Sequence, residues 1–165
     1  MEREIKGCIL FDWGDTLMRG FPEFSGPMKN WPRVEAIPGA AETLSVLHAD
    51  WLLALATNAT DSDEAEIRAA LRRVDLDRWL DKIYCYKKIG FRKPSSEFYN
   101  FILEDLGLSS DQAIMVGDDY EADVIGAARC GLRAVWLNGL SLEEHENDQC
   151  CTVHDLSTIP GVLNK

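Results

Sequence analysis

The stretch Ile9–Met18 reads ILFDWGDTLM. An apolar run passes directly into Asp12, and Asp15 and Thr16 follow closely. A continuous apolar run bounded by polar residues is the pattern of a strand buried on both faces, as in a parallel sheet. The spacing predicts this strand over Ile5–Phe11. Carboxylates resist burial, so a strand ending on them must reach the edge of the core, where the charges meet a partner.

The same pattern recurs outward from this stretch. WLLALATN, starting at Trp51, ends on Thr57 and Asn58, and AIMVGDD, starting at Ala113, ends on Asp118 and Asp119. KIYCY from Lys82 and RAVWL from Arg133 are further short apolar runs. Helical patterns separate them. PGAAETLSVLHAD, from Pro38, places Ala40, Leu44 and Leu47 on one face, and DSDEAEIRAALRRV, from Asp61, opens with acids and closes with arginines, as the helix dipole favours. KPSSEFYNFILEDLGL, from Lys93, closes at Gly107, and EADVIGAARCG, from Glu121, closes at Gly131. CTVHDLSTIPGVL, from Cys151, adds a strand and a terminal helix. Regular alternation predicts an α/β fold: an open, mostly parallel, Rossmann-like sheet of five or six strands with helices on both faces. Residues 1–165 read as a single domain, interrupted by a loop over Gly20–Pro38 that has no period. A loop of that length in a compact domain usually has a functional reason.

Apolar residues make up 46% of the 165-residue chain, enough for a core, while 28 acidic residues against 17 basic ones leave a net charge of −11. That charge opposes broad contact with nucleic-acid phosphates and suits a site that gathers divalent cations. No apolar run approaches the roughly 18 residues of a membrane span. The charged opening MEREIKG has no signal-peptide pattern, so a cytoplasmic location is expected and no membrane partner. The five cysteines are an odd number without C-x-x-C spacing, which argues against a zinc site or a disulfide framework.

In open α/β sheets, ligands bind outside the carboxyl ends of the strands, near the point where strand order reverses. Asp12 and Asp15, Thr57 and Asn58, Lys93, and Asp118, Asp119 and Asp123 fall at or just beyond those ends. Carboxylates crowded into one crevice repel each other unless a cation joins them, and oxygen ligands favour Mg²⁺ over zinc. Thr57, Asn58 and Lys93 can hold phosphate oxygens. A carboxylate nucleophile that forms an aspartyl-phosphate needs this set of groups.

On these residues the chain resembles the haloacid dehalogenase superfamily, whose members are mostly Mg²⁺-dependent phosphatases. DWGDTL, Thr57, GFRKPSSEFY and VGDDYEADVIGAARCG match its four motifs in family order. The resemblance implies that Asp12 is the nucleophile and, with the Gly14 carbonyl and Asp118, a metal ligand. Asp123 would act on the metal mainly through water, Thr57 would hold phosphoryl oxygens, and Lys93 would bridge nucleophile and phosphate. Phospho-accepting receiver domains combine similar residues, but their acceptor aspartate follows the third strand, which is the wrong order for this chain.

One family residue is missing. Family phosphatases carry an acid two residues after the nucleophile, where this chain has Gly14, with Asp15 one place later. The expected activity is hydrolysis of a phosphorylated small molecule or a macromolecular phosphoester, slowed by this loss unless Asp15 substitutes. The alternatives are a phosphate- or phosphoprotein-binding module that keeps the metal site, and a dehalogenase-type hydrolase. Neither connecting segment offers room for a cap domain, so the 20–38 loop, through Phe21, Phe24 and Trp31, or a homodimer partner is expected to wall the crevice.

Overall fold

The computed structural model describes residues 2–164. Its strands are β1 (Cys8–Phe11), β2 (Leu52–Ala56), β3 (Lys82–Tyr84), β4 (Ala113–Gly117), β5 (Arg133–Leu137) and β6 (Cys150–Val153). They form one sheet in the order β3-β2-β1-β4-β5-β6, and every neighbouring pair is parallel. The chain builds outward from β1 to β3, then crosses back to place β4 on the other side of β1. That reversal makes the carboxyl ends of β1 and β4 the expected ligand crevice.

The helices are α1 (Ala40–Leu47), α2 (Glu64–Arg72), α3 (Tyr86–Ile89), α4 (Ser96–Leu106), α5 (Gly126–Arg129) and α6 (Ile159–Leu163). Side chains alternate across the strands and divide the core in two. Ile9, Phe11, Leu53, Leu55, Ile114 and Val116 face α1, α2 and α6. Cys8, Leu10, Ala54, Met115 and Trp136 face α4 and α5. Leu53 and Leu55 are fully buried, and burial of each such side chain contributes about 1.5–3 kcal/mol. Continued alternation places Asp12 on the α4/α5 side of β1.

Two boundaries differ from the sequence reading. Residues 5–7 lie outside the sheet, with Lys6 N–H donating instead to the Asp50 carbonyl, and Ile5 is exposed. The helix expected from Glu121 is wider at its start: Tyr120–Ile125 form a π-helical turn before α5. Capping elsewhere follows the side chains. The Asp63 carboxylate accepts from Glu66 N–H while the Glu66 side chain accepts from Asp63 N–H, closing a capping box on α2. Ser95 caps α4 through Phe98 N–H.

The 20–38 segment is irregular apart from a 3₁₀ turn at Met28–Asn30 and an isolated antiparallel bridge from Ala36 to Met18, and between β2 and β3 the chain forms α2 and another 3₁₀ turn at Asp77–Trp79. No helix among the described residues is long and apolar enough to cross a membrane. Cys8, Cys85 and Cys150 are buried, and none of the five cysteines is in a disulfide.

Candidate active site

Asp12 leaves β1 at its carboxyl end, and its N–H donates to Val116 O of β4 at 2.9 Å, which locks the strand tip across the sheet. Lys93 lies in the segment between α3 and α4, 81 residues away, yet its Nζ donates to Asp12 Oδ1 at 2.9 Å. The same ammonium reaches Asp123 Oδ1 at 2.7 Å, and its side chain is only 2% exposed. Burial alone would discharge this lysine, but the charges of Asp12 and then Asp123 outweigh that effect and hold its pKa above the ordinary value.

The positioning of Lys93 depends on Asn58. The Asn58 Nδ2 donates to Lys93 O at 2.9 Å, and Asn58 Oδ1 accepts from Lys93 N–H at 2.7 Å. The amide expected to hold phosphate is thus engaged at both ends as a clamp on the lysine backbone. Thr57 is buried beside it. Its Oγ1 accepts from Ala59 N–H at 3.1 Å, which leaves the hydroxyl proton free to donate.

On the other side, Thr16 Oγ1 contacts Asp118 Oδ1 at 3.0 Å and Asp12 Oδ2 at 3.3 Å. Carboxylate oxygens of Asp12, Asp118 and Asp123 all lie within 4.8 Å of one another. Burial, then the hydrogen bond and charge of Asp12, push the Asp118 carboxyl above the usual carboxylate range, while Thr16 opposes that shift. Burial also raises Asp123 against the pull of Lys93, and the Asp12 charge adds to the rise. Asp123 Oδ2 accepts from Asp119 N–H at 3.0 Å. The Asp119 side chain caps the π-helical turn through Ala122 N–H.

Asp12, Gly14, Asn58, Lys93, Asp118 and Asp123 line one recess of about 190 Å³. Asp12 and Gly14 also border an adjoining hollow of about 430 Å³. Asp15 lines neither. Its backbone has φ +60°, its carboxylate accepts from Gly20 N–H at 2.9 Å, and it faces a hollow on the β5 side of the crevice.

Four contributions escaped the sequence reading. Trp136 Nε1 donates to Asp118 O at 3.0 Å, and His145 packs 4.4 Å from the Tyr120 ring and 5.3 Å from Trp136. Arg73 Nη1 donates to the carbonyls of Trp31 at 2.7 Å and Lys29 at 3.2 Å, anchoring the 20–38 loop to the end of α2. Gly117 makes room for Asp123. Only the positive charge of Arg73 had a local signal, and nothing near it in sequence names its partner.

The sheet order and this carboxylate–lysine crevice define a doubly wound α/β core with an acidic site at the carboxyl ends of its strands. The chain belongs to the haloacid dehalogenase-like hydrolase family, whose sequence profile matches residues 14–137. It is 32% identical over 123 residues to a ribulose-1,5-bisphosphate 5-phosphatase of Halopiger xanaduensis, covering 74% of this chain and 49% of that protein. It is 27% identical over 111 residues to the pyrimidine 5′-nucleotidase YjjG of Escherichia coli, covering 67% of this chain and 48% of that protein. The chain thus spans about half the length of the curated relatives it matches. An uncharacterized protein from Listeria monocytogenes serotype 4b superposes with a TM-score of 0.82 at 28% identity, covering 96% of this chain and 97% of that one.

Proposed function

We propose that this chain hydrolyses phosphate monoesters by transferring the phosphoryl group to Asp12, with Mg²⁺ as cofactor. The observation that carries the reading is the buried Lys93 ammonium shared between Asp12 and Asp123, beside the converging carboxylates of Asp12, Asp118 and Asp123. The relatives named for phosphatase and nucleotidase activities support a phosphorylated small molecule as substrate.

The donor set fits a hard cation. All three side chains offer carboxylate oxygens, and burial first, with the Asp12 charge after it, holds the Asp118 and Asp123 carboxyls above their ordinary values, a cost that a divalent ion would relieve. Asp12, Asp118 and the Gly14 carbonyl would hold it, with Asp123 adjacent. Bound Mg²⁺ would neutralise charge on the phosphoryl oxygens.

The chain's own groups account for the other steps. An Asp12 carboxylate oxygen attacks phosphorus, the bond to the ester oxygen breaks, and an acyl phosphate forms. Lys93 stabilises the negative charge shared by nucleophile and phosphoryl group, and the Thr57 hydroxyl donates to a phosphoryl oxygen. Water then attacks phosphorus, releasing phosphate and restoring Asp12. Gly14 has no side chain to protonate the departing alkoxide, and the Asp15 carboxylate is held by Gly20 N–H. The leaving-group proton is therefore taken from water, which makes turnover slow for poor leaving groups.

Trifluoroberyllate with Mg²⁺ tests this directly. Beryllium bonded to the Asp12 carboxylate, and lost in Asp12→Asn, is the expected result. No Mg²⁺-dependent adduct at millimolar metal would overturn the proposal and the phosphate-binding alternative together.

A further inference from the structure

The 430 Å³ hollow beside Asp12 is lined by the apolar Trp13, Met28 and Trp31 and by the polar Thr60, Asp61 and Arg92. Arg92 also borders a second depression, of about 600 Å³, with Lys93, Ser95, Ser96 and Arg129. Among the described residues, no carboxylate lines that second depression. In a chain with a net charge of −11, a basic patch adjoining the reaction centre is a local reversal of the surface charge.

Neither arginine is held firmly. Arg92 is exposed, and none of the ion pairs among the described residues includes it. The contact between Arg129 and Glu121 spans 4.0 Å between two well-exposed side chains, a geometry that holds little. By contrast, Arg19 pairs with Glu35 and Arg68 with Asp77. Asp61, which lines the same hollow, repels an anion, so Arg92 is the lining group that can receive one. A guanidinium offers a planar fork that matches a carboxylate or a phosphate.

Resting on the phosphatase reading of Asp12, we propose that Arg92, with Arg129 behind it, receives a second anionic group on the leaving-group side. Preferred substrates are then phosphate monoesters whose alcohol bears a carboxylate or a further phosphate. The transferred phosphoryl group sits at Asp12 and Lys93, the body of the alcohol lies against Trp31 and Met28, and its charge reaches Arg92.

Steady-state kinetics with phenyl phosphate, 3-carboxyphenyl phosphate and 1,3-phenylene bisphosphate test this, because the three share an aryl leaving group. At low ionic strength the two anionic esters are expected to show kcat/KM higher by about fivefold or more. That ratio should collapse toward one in Arg92→Gln and shrink in Arg129→Gln. Comparing the carboxylate and phosphate arms identifies which anion the site prefers. Equal kcat/KM for all three esters, or a preference that survives both substitutions, would overturn the inference while leaving the phosphatase reading intact. No turnover of any ester with Mg²⁺ present would instead remove the phosphatase reading, and this inference with it.

Discussion

The Asp123 carboxylate occupies the space that a side chain on Gly117 would fill: a Cβ there would lie 2.0 Å from Asp123 Oδ2. Strand alternation points position 117 toward the α4/α5 layer, the same side as Asp12, so only glycine leaves room for the acid that faces Lys93. Gly117→Ala must displace Asp123 and strain the strand end, which overpacking data place at about 1–3 kcal/mol. The variant should be less stable by that amount in urea unfolding and should lose nearly all phosphatase activity. Full activity in Gly117→Ala would show that the position of Asp123 does not matter to the chemistry.

The crowded acids predict how stability responds to pH. Asp118 and Asp123 are raised above ordinary carboxyl values, so between about pH 4 and those raised values the folded chain binds more protons than the unfolded one. Their stabilising contribution is complete below the unfolded pKa and is lost as pH rises through the folded values. Metal-free protein should lose stability from these groups between about pH 5 and 8, and Asp118→Asn should flatten that slope. Because Mg²⁺ competes with the same protons, the rise in Tm on adding it should be larger at the higher pH. Calorimetric scans at both pH values check this; equal Mg²⁺ shifts would contradict it.

Much of the fold could be read because each core strand is an apolar run that stops on polar residues. That regularity gave the order of the strands along the chain, the helices between them and the approach of Asp12, Lys93, Asp118 and Asp123 to one another, with Thr57 in the adjoining hollow beside Asp12. Sequence did not reveal how those residues are held. Asn58 clamps a backbone 35 residues away, and the Trp136 indole reaches a carbonyl on the adjacent strand's end. Neither contact has a periodic signature, since both arise from which strands become neighbours. The start of β1 was overread because Ile5 continues the apolar pattern, although it lies outside the sheet and is exposed.

Gly14 and Asp15 make opposite predictions about the missing acid. A Cβ at Gly14 would meet nothing within 4 Å, and its backbone is not in the left-handed region, so Gly14→Asp should fold normally and project beside Asp12. Positioned acid–base groups typically contribute about 10²–10⁴-fold. The variant should gain up to that range on an alkyl phosphate and much less on an aryl phosphate. Asp15→Asn should change either rate by less than about threefold, since the carboxylate serves Gly20 N–H. A large loss in Asp15→Asn for alkyl esters alone would assign it the acid role.

The last prediction concerns the wall of the hollow. Phe21, Phe24 and Trp31 pack on one another with ring centroids 5.5–6.4 Å apart, and Arg33 covers Phe21. Arg73 ties this cluster to α2 through the loop carbonyls, and Lys29 pairs with Glu66 at 3.2 Å. Trp31 and Met28 therefore stand as a fixed side of the hollow next to Asp12. Arg73→Ala removes charge-assisted hydrogen bonds but leaves the aromatic cluster, so the wall should loosen and persist. The expected result is KM raised by about three- to tenfold with kcat within about twofold, the signature of lost ground-state binding. Deleting Phe21–Asn30 should raise KM further. Titration with Mg²⁺ should be unchanged in Arg73→Ala, because Arg73 donates to the loop carbonyls and to none of the carboxylates proposed to hold the ion. An unaltered KM in both variants would mean that substrate does not touch this wall, and a weakened Mg²⁺ affinity would mean that the loop supports the carboxylates instead.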